Sequence, residues 1–352
     1  MRAFAYLSQG QAGWVEKAPP QATGFDGIIR PLLVSPCTSD VHNVEIGCLA
    51  PHRILGHEGL GEIVAVGDQV RDFQVGEIVV VPPVTPDWRT VPSQLGAHQH
   101  CAGLITGQKL SNGEDGLLAE YVRIRDLDAN AARIPPGVSW EGAVMAADML
   151  NTGLYGAQLA DVQPGDTVVV MGVGPVGLMA IAGAKLRGAG RILAIGSRPA
   201  GLALAQFYGA TDLVNYKEGD VTRQIHLLTH KQGADCCICA GGGPDALGQS
   251  VTMVRWGGTV GNVNYFTTQG DLPIPNVRYG FGMGNKTIRG GECPGGRARM
   301  EKLLALLQYG RVDPVPLITH RFQGLPQVEP AFEWDDSSGR PDHRVPLTHL
   351  IH

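Results

Sequence analysis

From Gly165 onward the chain alternates so regularly that few folds remain open to it. DTVVVMG has the β-branched, uncharged texture of a buried strand, and PVGLMAIAGAKLR that of a helix. RILAIG, TDLVNY, DCCICAG, GGTVGNVNY and NKTIRGG read as further strands, with PAGLALAQFYG, GDVTRQIHLLTH and PDALGQSVTMV as the helices between them. Strands alternating with helices of roughly 10–15 residues imply βαβ units around a parallel sheet. ARMEKLLALLQYG then predicts a helix closed by Gly310. The uncharged run over residues 167–184 approaches the length of a membrane span. Its four glycines and one proline favour a strand, a turn and a helix start instead.

The first 125 or so residues have a different texture. GIIRPLLV, GEIVAVG, GEIVVVPP and AEYVRIR are short β-branched runs bounded by Gly or Pro, and no long helical pattern appears among them. SWEGAVMAADMLNTGLYGAQLADV reads as helix, with Ser139 as N-cap and Glu141 in the first turn, although Gly142 and Gly153 argue against one unbroken helix. The last 40 residues return to Pro-rich, irregular text. A chain of 352 residues is long for one core, so we expect two domains. An α/β doubly wound unit would span 150–294, and a β-rich unit would combine 1–149 with 295–352.

Gly172-Val173-Gly174-Pro175-Val176-Gly177 follows a β-branched strand and opens a helix, the context in which G-x-G-x-x-G binds a dinucleotide. Backbone N–H groups at the helix start would face the pyrophosphate. The next strand, RILAIG, ends in Gly196, Ser197 and Arg198, with no acid to repel a 2′-phosphate. A hydroxyl and a guanidinium suit that phosphate, and Tyr216 lies after the following strand. These residues predict NADP(H) rather than NAD(H).

Net charge is −5, and no Lys/Arg run supplies a phosphate-backbone footprint, so nucleic acid is not an expected partner. The N-terminus lacks the apolar segment of a secretory signal, and seven cysteines form no small-domain disulfide pattern. A soluble, cytoplasmic protein is expected. PCTSDVH, residues 36–42, crowds a thiol, hydroxyls, a carboxylate and an imidazole into what reads as one short turn. His57-Glu58 follows, and Asp148 sits in an apolar helical stretch, where a carboxylate must be paired, protonated or metal-bound. Cys, His and Asp with an open fourth position make a catalytic zinc set, but their separations form no short zinc motif.

PCTSD with His five after Cys, LGHE, VVVPPVTPDWRT, GVGPVGLMAIAGAKLRGAGRI, IGSRP, GATDLVNYK, NVNYF and CPGGR together resemble the zinc-dependent medium-chain alcohol dehydrogenases, most closely the bacterial NADP-dependent secondary alcohol dehydrogenases. The resemblance reaches to about residue 320. It implies a Rossmann-type cofactor domain inserted into a GroES-like β-barrel catalytic domain, and usually a homotetramer. It implies zinc ligands at Cys37, His57 and Asp148, with Glu58 as an exchangeable ligand, and a proton relay through Ser39 and His42. Cofactor contacts would come from Gly172, Gly174, Pro175, Val176, Gly177, Gly196, Ser197, Arg198, Tyr216, Asn264, Tyr265 and Arg344. Pro83, Val84, Gln108, Tyr265, Met283, Glu292 and Cys293 would line the substrate pocket. Asp40 would orient His57 from behind, and Thr38 would be a turn former.

The sequence departs from that family in places. Only Cys101, in GAHQHCAGLITG, stands where many relatives carry four cysteines for a structural zinc, leaving His98, His100 and Cys101 as a weak mimic. Cys236 and Cys239 form C-x-x-C on a predicted buried strand, which points them to opposite faces as core residues. Gln108 and Glu292 replace a Trp and a Leu. The expected activity is interconversion of secondary alcohols and ketones with NADP(H). A polyol dehydrogenase and a non-catalytic NADP(H)-binding redox sensor are the alternatives.

Overall fold

The computed structural model describes residues 1–101, 109–266, 270–276, 279–335 and 348–351. The chain forms two compact units: the first is the pair of segments Met1–Asp148 and Cys293–His352, the second Met149–Glu292.

In the second unit, six parallel strands make one sheet. Counting from Thr167–Met171, their spatial order is 3-2-1-4-5-6. The order reverses between Thr167–Met171 and Ala234–Cys239, and ligands of such sheets bind at that switch point, beyond the strands' carboxyl ends. Val168, Val169, Val170, Cys237 and Ile238 are fully buried, as strands covered on both faces require. The helices Pro175–Leu186, Pro199–Tyr208, Val221–Leu228 and Ala246–Met253 fall where the sequence places them. Cys236 and Cys239 lie on the buried strand Ala234–Cys239, where burial pushes both thiols up, Cys239 to about 11 and Cys236 further. They are therefore inert core residues.

The first unit is built on antiparallel pairing. Gly27–Ser35 pairs with Glu58–Val66, which pairs with Ile78–Val81. Behind this sheet, Ile29, Ile63, Val79, Val81, Leu117 and Leu118 form a dry core. The described part of the tail contributes two short strands. His320–Gln323 and Thr348–Ile351 pair in parallel, and the latter joins Gly27–Ser35. Four-residue strands carry too short a period to stand out in a Pro-rich stretch. A helix, Val328–Asp335, packs Phe332 edge-on against Phe4.

Two local expectations need correction. PCTSDVH is not a free turn: it opens the helix Thr38–Ile46, so Thr38 is its first residue. The segment over 140–159 is indeed interrupted, but not at its glycines. Trp140–Met145 passes into a π-turn, Ala146–Leu150, and then into Asn151–Leu159. Ser139 caps the start, its Oγ accepting the Gly142 N–H at 3.0 Å. Gly153 serves close packing instead: a Cβ there would lie 2.5 Å from the Met179 backbone.

Candidate metal and cofactor sites

The metal candidate is assembled from three kinds of element. Cys37 is the N-cap residue of Thr38–Ile46. His57 and Glu58 enter the strand Glu58–Val66. Asp148 projects from the π-turn, a distortion that commonly marks functional sites because the extra residue re-aims a side chain. One donor atom from each of these four residues lies within 4.8 Å of the others, and all but Cys37 are buried. Among the described residues no other such cluster forms. Near residue 100, His98 instead stacks on Trp88 at 4.8 Å, and Cys101 Sγ accepts the Asp87 N–H.

The surroundings of His57 select one of its ring nitrogens as ligand. Asp40, fully buried, places Oδ2 3.2 Å from His57 Nδ1. Its other oxygen accepts the Gly56 N–H at 3.3 Å and the Ser111 hydroxyl at 2.6 Å. Nδ1 therefore carries the proton, and Nε2 faces Asp148 Oδ2 at 3.3 Å and Glu58 Oε1 at 3.8 Å. The electrostatics favour a cation. Burial works against a charge on His57, yet Asp40, Asp148 and Cys37 hold its ring well above the ordinary imidazole value. Burial, then the neighbouring Cys37 and Asp148, pushes the Glu58 carboxyl well up. Burial opposes charge on Asp40 too, but His57, Ser111 and the Gly56 N–H keep it low. Neither Glu58 oxygen has a hydrogen-bond partner among the described residues. Buried carboxylates beside a thiol and an imidazole are what a divalent cation satisfies, so this donor set fits zinc.

Ser39 lies against the cluster, its Oγ 3.3 Å from Cys37 Sγ and 3.4 Å from His57 Nε2. His42, one turn along the same helix, pairs its Nδ1 with Glu45 at 3.2 Å and is more exposed. Cys293 Sγ lies 3.9 Å from Asp148 Oδ1. Pro83 and Val84 are buried, and Val84 touches the chain at Gly295. Gln108 and Arg344 fall outside the described residues. Ser111 is the site residue that sequence reading missed. It stands 54 residues beyond His57, in a loop with no motif to flag it.

In the other unit, Gly172 turns at φ +102°, and a Cβ on Gly177 would lie 2.1 Å from the Gly172 carbonyl oxygen. Above Gly174 there is open space. Pro175 and Val176 begin the helix, whose first-turn N–H groups have no intrahelical acceptor. This is a cradle that a side chain would fill and that a pyrophosphate fits. Gly196 ends its strand against Val173, too close for any Cβ. Ser197 and Arg198 follow, Arg198 as N-cap residue of Pro199–Tyr208. Tyr216 is half exposed after its strand. Asn264 donates its amide to the Gly242 carbonyl at 3.2 Å. Tyr265 is exposed, Met283 fully so, and Glu292 ends the unit.

Two family models match the chain: an alcohol dehydrogenase GroES-like domain over residues 22–136 and a zinc-binding dehydrogenase over 175–309. An NADP-dependent isopropanol dehydrogenase of Thermoanaerobacter brockii is 52% identical over 334 residues, covering 94% of this chain and 95% of the relative. The chain belongs to the zinc-binding dehydrogenase family. A second NADP-dependent isopropanol dehydrogenase, from Clostridium beijerinckii, is 50% identical over 94% of this chain and 95% of its own. Among solved structures, the alcohol dehydrogenase TADH from Thermus sp. ATN1 superposes with a TM-score of 0.86 at 29% identity, covering 100% of this chain and 99% of that one. The expected fold therefore holds for this dehydrogenase: a GroES-like domain interrupted by a parallel-sheet nucleotide domain. No helix among its described residues is long and apolar enough to cross a membrane.

Proposed function

We propose that this zinc-binding dehydrogenase interconverts secondary alcohols and ketones with NADP(H). The observation that carries the reading is the convergence of Cys37, His57, Glu58 and Asp148 in a chain whose second cofactor strand ends in Gly196-Ser197-Arg198 rather than in an acid. The NADP-dependent isopropanol dehydrogenases named above support the substrate class. When bound, zinc polarises the substrate oxygen and the nicotinamide exchanges hydride with the carbinol carbon.

The chain's own residues do the rest. Cys37, His57 and Asp148 hold the metal, and Glu58 is the exchangeable fourth donor. Asp40 keeps the His57 proton on Nδ1. The Ser39 hydroxyl takes the alcohol proton, because its Oγ lies against the ligand cluster. His42, three residues on and partly exposed, delivers the relayed proton to solvent. In the other unit, Gly172, Gly174 and Gly177 admit the pyrophosphate, while Ser197, Arg198 and Tyr216 receive the 2′-phosphate. Asn264 and Tyr265 add nucleotide contacts in that unit, and Pro83, Val84 and Cys293 line the substrate side of the metal site. On this reading residues 1–149 and 295–352 form the catalytic domain and 150–294 the cofactor domain. By kinship we also read the protein as a cytoplasmic homotetramer, which sedimentation of the purified enzyme tests.

The functional test is an NADPH-linked assay with acetone, butanone and a polyol panel, run beside metal analysis. Turnover of the small ketones by zinc-loaded protein supports the proposal. Turnover confined to polyols, or activity without zinc, contradicts it.

A further inference from the structure

We propose that Ser111 is a positioning residue for the metal ligand His57, acting through Asp40; this rests on the zinc reading above. Ser111 is fully buried and adopts φ +66°, a left-handed conformation that side chains other than Gly, Asn and Asp rarely hold. Such strain persists where its surroundings over-determine it, and it concentrates at functional sites. Here the strained residue puts Oγ 2.6 Å from Asp40 Oδ1 and 3.4 Å from His57 Nδ1. The hydroxyl has one proton, and the shorter contact assigns it to Asp40.

Two donors, Ser111 Oγ–H and the Gly56 N–H, then fix one Asp40 oxygen, while the other lies 3.2 Å from His57 Nδ1. With two hydrogen bonds on Oδ1 and the His57 ring 3.2 Å from Oδ2, the carboxylate resists turning about χ2, a torsion otherwise soft in Asp. It keeps the imidazole plane and tautomer, and so aims Nε2 at the other donors. The result is a chain of four links: a strained loop residue, a buried carboxylate, an imidazole, a cation. Partners of this kind set metal affinity as well as ligand orientation.

Ser111→Gly separates positioning from folding, because glycine adopts a positive φ without strain. Zinc affinity is read by chelator competition on the full chain, thermal stability on the metal-free protein, and ligand geometry from the d–d spectrum of the Co²⁺-loaded form. Ser111→Gly should bind zinc about tenfold more weakly and shift the Co²⁺ spectrum, with the metal-free Tm unchanged or raised. Ser111→Ala should weaken zinc similarly, but with a Tm below that of Ser111→Gly, because it loses the same hydrogen bond and keeps the strain. Zinc binding by Ser111→Gly within about twofold of the parent overturns the positioning role while leaving the zinc reading intact. A zinc loss that merely tracks a fall in metal-free Tm across both variants also overturns it. Failure of the parent chain to take up zinc defeats the zinc reading, and this proposal with it.

Discussion

At the scale of single residues, charge and hydrogen bonding decide between close alternatives. Arg198 stands where an acid would select NAD(H). Arg198→Asp replaces a cation that suits a phosphate with an anion that repels it, removing a charge-assisted contact worth roughly 1.5–3 kcal/mol. The ratio of NADP to NAD kcat/KM should fall by about tenfold to a hundredfold; an unmoved ratio contradicts the 2′-phosphate assignment. Away from the sites, Arg191 grips Asp212 with both Nε (2.9 Å) and Nη2 (2.6 Å). The Arg191 hydrogen bonds hold the Asp212 carboxyl below its ordinary value of 3.8. A lowered carboxyl stabilises the fold above that value and loses its contribution as pH falls through the folded one. The pair is partly exposed, so about 1 kcal/mol is the expected size. Asp212→Asn should cost that much at pH 7, and its stability should converge with the parent's in acid. A constant gap across the acid range would count against the pairing.

At the scale of elements, legibility followed how local each signal was. The helices and parallel strands of the nucleotide unit carry their own apolar periods and Gly punctuation, so they could be read one at a time. The π-turn at Ala146–Leu150 could not, because its sequence is indistinguishable from ordinary helix and Gly142 and Gly153 drew attention elsewhere. Those two glycines make contrasting predictions. At Gly153 a Cβ would press on Met179 backbone at 2.5 Å, and a packed helix cannot step aside. Overpacking of about 1–3 kcal/mol outweighs the helix-propensity gain of roughly 0.8–1 kcal/mol, so Gly153→Ala should lower Tm. At Gly142 the Cβ would meet side-chain atoms of Ser139 and Leu307 at 3.1 and 3.2 Å, which can shift. Gly142→Ala should be close to neutral, and equal losses at the two positions would refute this packing account.

At the scale of the whole molecule, chemistry is divided between two units that the sequence interleaves. The metal donors all belong to Met1–Asp148, while the phosphate turn and Arg198 belong to Met149–Glu292. The second set was readable because its residues are neighbours in one motif. The first comes from positions scattered over more than a hundred residues, and only kinship joined them before the fold did. Ser111 escaped both routes, since neither a positive φ nor a buried hydroxyl leaves a mark in sequence. The division predicts independence: Cys37→Ala should lose zinc yet bind NADPH with near-parental affinity, as followed by cofactor fluorescence. The central claim is that Cys37, His57 and Asp148 grip the ion that makes the protein an alcohol dehydrogenase. The most direct test is zinc content beside acetone reduction for the parent and for Cys37→Ala. The account predicts about one equivalent of zinc with turnover in the parent, and the loss of both in the variant. Parent protein that turns over without zinc, or a variant that keeps both, would contradict it.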